Sequence, residues 1–147
     1  MVPCRSPPAM TPAPHRATRI LVAEDDGEMR RLVTTALRHQ GYEVVEESDG
    51  GRLLLRVAAM HATDDTTDIF DLIVTDNRMP VCNGLSIVHV LRAAKLNTPV
   101  VVITAFGDDE TRARVRTLGA VLLDKPFKIV ALISLVEQLL SSPLLEA

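Results

Sequence analysis

"RILVAEDDGEMRRLVTTALRHQGYEVVE", residues 19–46, decides how the chain folds. Its opening, RILVA, is a short apolar run of strand character. Met29, Leu32, Val33, Ala36 and Leu37 then fall at i, i+3, i+4, i+7 and i+8, the stripe of an amphipathic helix. Gly41, after His39 and Gln40, is a natural helix stop. YEVVE (42–46) is a second strand, bounded by Glu43 and Glu46 as an edge strand is. Strand, helix and strand in so short a stretch make one βαβ unit.

The same alternation runs on. GGRLLLRVAAMH reads as a helix with Leu54, Val57, Ala58 and His61 on one side, ending near the polar ATDDTTD. DLIVT (71–75) is a third strand and GLSIVHVLRAAKL (84–96) a third helix. PVVVIT (99–104) is the most apolar strand. Asp108 and Asp109 are placed to cap a weakly amphipathic fourth helix, with Val115 and Leu118 inward. AVLLD (120–124) is a fifth strand. A last helix, from about Phe127 to Ser141, turns Ile129, Leu132, Ile133, Val136 and Leu140 inward. Five strand–helix repeats predict parallel strands joined by right-handed crossovers: an α/β, doubly wound five-stranded sheet with helices on both faces. Strands one, three and four are apolar throughout, as central parallel strands are.

The 147 residues suffice for one domain with a real core. Aromatics are only 3%, so aliphatic side chains must build that core. A net charge of −3 and a pI near 5.8 argue against a broad grip on nucleic acid. Residues 1–17 hold five of the nine prolines and no periodicity, and read as a disordered tail without the apolar stretch of a secretory signal. Residues 18–141 form the domain and 142–147 a C-terminal tail. No segment approaches the roughly 18 apolar residues of a membrane helix. Cys4 and Cys82 are far apart, so reduced thiols in a cytoplasmic protein are the expectation.

In an open parallel sheet, ligands bind beyond the carboxyl ends of the strands. Strand one ends in Glu24-Asp25-Asp26, strand three in Asp76, strand four in Thr104-Ala105 and strand five in Asp124-Lys125-Pro126. A lone Asp at a strand end is most often a turn former or helix cap, and Asp26 fits that role. The joint pattern points further. Clustered carboxylates repel, and a hard divalent cation such as Mg²⁺ relieves them. Metal, acids and one lysine suit phosphoryl chemistry, with Asp76 as nucleophile. His15, His39, His61 and His89 lack metal-ligand spacing.

With ILVAEDD (20–26), IVTDNRMPVCNG (73–84), VVITAFGD (101–108) and LDKPF (123–127) in order, the chain resembles the receiver domain of bacterial two-component response regulators over residues 18–141. That resemblance implies a flavodoxin-like fold with strand order 2-1-3-4-5. It makes Asp76 the phosphoacceptor and Mg²⁺ the cofactor. Asp25 would bind the metal directly, Glu24 through water, and Arg78 by its backbone carbonyl. Lys125 would pair with Asp76 and then with a phosphoryl oxygen, and Thr104 would hydrogen-bond another. Ala105 would be the small residue that leaves access, and Lys125-Pro126 a cis peptide. Met79-Pro80 and Gly84 would form the turn into the third helix.

Partners implied are a sensor histidine kinase or phosphotransfer protein and a downstream protein bound through the fourth helix, fifth strand and fifth helix. A phosphorylation-dependent dimer is a further form such a switch takes. Direct nucleic-acid and membrane contacts are not implied. The chain departs from the family at Leu122, where many members carry Tyr or Phe, and Gly119 to Lys125 is about one residue short. Phe106 is a candidate substitute for the missing aromatic. The protein is expected to be a signalling phosphoacceptor rather than an enzyme, standing alone because little follows the fifth helix. Its rivals are a receiver cut from a longer DNA-binding regulator and a metal-dependent phosphatase with an aspartyl nucleophile. Such phosphatases commonly place a second acid two residues after the nucleophile, where Arg78 stands here.

Overall fold

The computed structural model describes residues 17–62, 69–105 and 107–141. Five strands alternate with five helices: β1 (Arg19–Ala23), α1 (Gly27–His39), β2 (Glu43–Glu47), α2 (Gly50–Ala62), β3 (Leu72–Asp76), α3 (Gly84–Ala93), β4 (Val100–Thr104), α4 (Asp109–Thr117), β5 (Val121–Asp124) and α5 (Ile129–Ser141). All neighbouring strands pair in parallel, in the order β2-β1-β3-β4-β5. Every strand agrees with its sequence expectation to within one residue, and β2 lies at an edge as its glutamates require. Residues 1–16, read from the sequence as most of a disordered tail, residues 63–68, Phe106 and residues 142–147, read as a C-terminal tail, lie outside the described residues.

Alternate side chains of each strand feed two separate apolar layers. Leu21, Ile73, Val100 and Val102 pack with Leu53, Val57 and Met60 of α2 and Ile87, Val88 and Leu91 of α3. Ile20, Val22, Leu72, Val74, Val101 and Ile103 pack on the other face with Val33 and Leu37 of α1 and Leu132 and Val136 of α5. β3 and β4 are buried along their whole length, whereas β5 is half-buried and ends exposed. Among the described residues no helix is long and apolar enough to cross a membrane.

Helix ends follow local chemistry. Asp26 caps α1, its carboxylate accepting from the amides of Glu28 and Met29, and Asp108 caps α4 through Thr111 N. Gly41 takes φ +95°, which closes α1 where the sequence places its stop. α3 stops at Ala93, short of Leu96, because Lys95 turns left-handed at φ 63° and the amides of Lys95 and Leu96 bond back to Arg92 O and Leu91 O.

Two helix faces differ from the sequence reading. α2 buries Gly50, Leu53, Val57 and Met60, while Ala58 and His61 are exposed and Leu54 is half-buried. Leu53, Leu54 and Leu55 cover more than half a helical turn, so periodicity alone does not choose among them; docking does. At its N-terminus α2 meets the loop after β3, where Gly50 N donates to Pro80 O at 3.2 Å. On α1, Leu32 is 53% exposed rather than inward, and Thr34 is buried in its stead.

Gly50 permits that docking. A Cβ there would stand 1.8 Å from the carbonyl oxygen of Cys82. Main chain cannot yield as a side chain tip does, so Gly50→Ala is expected to destabilise the fold by about 1–3 kcal/mol. Urea unfolding of the variant checks this, and an unchanged midpoint would contradict the close approach of α2 to the loop after β3.

Candidate functional site

Parallel pairing carries the ends of β1, β3, β4 and β5 to one edge of the sheet. Asp76 is the last residue of β3 and only 5% exposed. Its Oδ1 receives Lys125 Nζ at 2.7 Å, and its Oδ2 accepts from the amide of Arg78 at 2.9 Å. Glu24, just past β1, is equally buried; its Oε2 accepts from the amide of Asp26 at 3.2 Å. Glu24 Oε1 has no hydrogen-bond partner, although Lys125 Nζ lies 3.6 Å away as an ion pair. Asp25 is exposed beside them.

One ammonium therefore faces a crowd of negative charge. Burial pushes the Glu24 carboxyl up to about 7, reinforced by the charge of Asp76 and opposed by the Asp26 amide and Lys125. Burial works to lower the Lys125 ammonium, but its hydrogen bond to Asp76 and the charges of Asp76 and Glu24 outweigh this and hold it above the ordinary lysine value. Oxygens of Glu24, Asp25 and Asp76 all lie within 4.8 Å of one another. Three carboxylates, one with a buried oxygen still lacking a hydrogen bond, form a donor set that fits a hard divalent cation. Among the described residues this is the one such cluster, and none of the histidines joins it. A depression of about 540 Å³ opens beside it, bordered by Asp25, Asn77, Arg78, Met79, Pro80 and Asn83.

A family model, the response regulator receiver domain, matches residues 20–137. The chain belongs to this family. Curated relatives include the transcriptional regulatory protein PdtaR of Mycobacterium tuberculosis, 35% identical over 120 residues that cover 81% of this chain and 55% of PdtaR. The regulatory protein AtoC of Escherichia coli is 30% identical over 123 residues, 83% of this chain and 25% of AtoC. Among solved structures, the receiver domain of the Francisella response regulator 1452 superposes with a TM-score of 0.72 at 30% identity, covering 84% of this chain and 96% of that one. The chemotaxis response regulator CheY4 of Vibrio cholerae gives 0.70 at 26% identity, covering 84% and 99%. This receiver domain spans about half or less of the length of the first curated relatives it matches. Receiver domains act in two-component signalling, where phosphorylation and Mg²⁺ are general features.

Within the receiver domain, Glu24, Asp25, Asp76 and Lys125 meet directly. Thr104 ends β4, is 3% exposed, and its carbonyl accepts from Lys125 N at 2.8 Å. Ala105 follows it at the surface. Arg78 turns its amide to Asp76, and the Lys125-Pro126 peptide is cis. Asp124, grouped with the acids by its place at a strand end, instead pairs with Arg112.

Several supports were not legible in the sequence. Arg30 donates to Glu24 O at 2.7 Å and so holds the turn after β1. Asn77 Oδ1 accepts from Leu85 N, and Asn83 caps α3 through Ser86 N, fixing the loop that follows Asp76. An Asn one residue before Gly84 is a recognisable cap signal. Arg30, by contrast, looks like any surface arginine of a helix.

Proposed function

We propose that Asp76 accepts a phosphoryl group from the phosphohistidine of a kinase or phosphotransfer protein, and that the resulting aspartyl phosphate switches a partner-binding surface. The observation that carries this reading is a buried carboxylate paired at 2.7 Å with Lys125 while sharing its pocket with two further acids. In the transfer, a carboxylate oxygen of Asp76 attacks phosphorus, the P–N bond of the donor breaks, and its imidazole takes up a proton. Mg²⁺, when bound by Glu24, Asp25, Asp76 and the Arg78 carbonyl, would neutralise charge on the phosphoryl oxygens. Lys125 is placed to hold another of those oxygens and Thr104 a third, while Ala105 leaves the approach clear. The switched surface is assigned to α4, β5 and α5, supported by how little of α4 and β5 is buried.

In millimolar Mg²⁺ and acetyl phosphate the protein is expected to gain the mass of one phosphoryl group, and to gain none when EDTA replaces the metal. Intact-mass spectrometry reads both. Absence of the gain with Mg²⁺ would overturn the proposal. A second reading, that the receiver serves a longer regulator of transcription, draws support from relatives such as PdtaR, which is named a transcriptional regulatory protein and is nearly twice as long as the matched stretch.

A further inference from the structure

We propose that Arg112 is a positioning residue: through Asp124 it ties α4 to the phosphorylation pocket, and occupation of the pocket works against that tie. This rests on the phosphoacceptor reading of Asp76. One guanidinium nitrogen of Arg112 spans both oxygens of Asp124, at 2.7 and 2.8 Å. α4 has few other anchors, since Val115 is its single buried residue.

Asp124 is tightly placed against the pocket. It pairs in register with Thr104 across β4 and β5, and Lys125 follows it directly. The loop between β4 and α4 also passes close to it. A Cβ at Gly107 would stand 3.0 Å from Asp124 Oδ1, 3.1 Å from Leu122 Cδ2 and 3.2 Å from Thr104 Cγ2. Side-chain ends of Asp124, Leu122 and Thr104 thus gather around this glycine.

A phosphoryl group on Asp76 disturbs this arrangement. Lys125 Nζ stands 2.7 Å from Asp76 Oδ1, so a phosphoryl group on that oxygen displaces the ammonium from it and re-aims it toward a phosphoryl oxygen. The strand end that carries it, Asp124 included, is the loosely held side of the pocket, since β5 has no fully buried residue. The element able to yield is the contact to Arg112, whose side chains are 43% and 50% exposed and which is correspondingly weak. Losing it frees α4. In a chain with Leu122 where an aromatic is usual in the family, an ion pair thus couples helix to pocket.

Coupling is reciprocal: whatever the occupied pocket does to the tie, removing the tie does for occupation. Beryllium fluoride with Mg²⁺ serves as the probe, since it mimics a phosphoryl group without turnover. Arg112→Ala is expected to bind it about fivefold more tightly than wild type, the scale of one exposed ion pair. Amide hydrogen exchange across 110–117 should quicken in the metal-free variant and in the beryllium fluoride complex of wild type. Asp124→Asn should reproduce both effects, and Arg112→Lys should restore part of each. Equal affinities, or α4 exchange that ignores both the variant and the probe, would overturn the tie. Wild type that binds no beryllium fluoride at all would overturn the phosphoacceptor reading and the tie with it, whereas binding without coupling overturns the tie alone.

Discussion

Asp76→Asn will take up no phosphoryl group from acetyl phosphate under conditions that convert the wild type. The carboxamide has nearly the shape of the carboxylate, so β3 and both apolar layers have no reason to rearrange. An oxygen in the place of Oδ2 still accepts from Arg78 N, the 2.9 Å bond that orients the side chain. What disappears is the anionic nucleophile, together with the charge that holds Lys125 at 2.7 Å. The effect is therefore on chemistry and not on folding, and intact mass beside a thermal melt separates the two. A variant that gains mass as fast as wild type would place the acceptor elsewhere, with Asp25 the nearest exposed carboxylate.

Glu24→Gln is expected to stabilise the metal-free protein at pH 8 and to do so far less at pH 5. In the folded state burial lifts the Glu24 carboxyl from 4.5 to about 7. The folded protein therefore holds that proton more tightly than the unfolded chain. Between about 4.5 and about 7 the unfolded state binds fewer protons, so stability falls as pH rises through this window and levels off above it. At about 1.4 kcal/mol for each pH unit of displacement, the full loss is about 3 kcal/mol. Glutamine has no proton to lose, so the variant lacks this part of the pH dependence. Added Mg²⁺ should reverse the order, because the carboxylate is a better donor to a hard cation than the amide and binding to the folded state stabilises it. Urea unfolding at both pH values, with and without metal, tests all of this. Wild-type stability that is level from pH 5 to 8 would show that Glu24 is not under the strain described.

The meeting of Asp76 and Glu24 at one edge is legible in the sequence, and the reason is general. A parallel sheet sends the ends of its strands to one edge, so acids far apart in sequence at strand ends become neighbours once the βαβ repeat is recognised. The strands themselves were plain because each is an unbroken aliphatic run. The inward face of α2 is not legible in the same way, because three successive leucines leave it to tertiary docking, and Leu32 on α1 is a like case. Gly50, Gly107 and the Arg112–Asp124 pair stayed hidden for a related reason. Each depends on how closely two distant segments approach, which no local pattern records.

The two sides of the pocket differ mechanically. Asp76 belongs to a strand clamped between both apolar layers, and Glu24 is pinned by Arg30 and the Asp26 amide. Lys125 extends from the shortest strand, four residues at the rim with no wholly buried member. The pocket behaves as a vice with one fixed jaw and one compliant jaw. Any displacement between them falls on the β5 side, because that is where the sheet is least held.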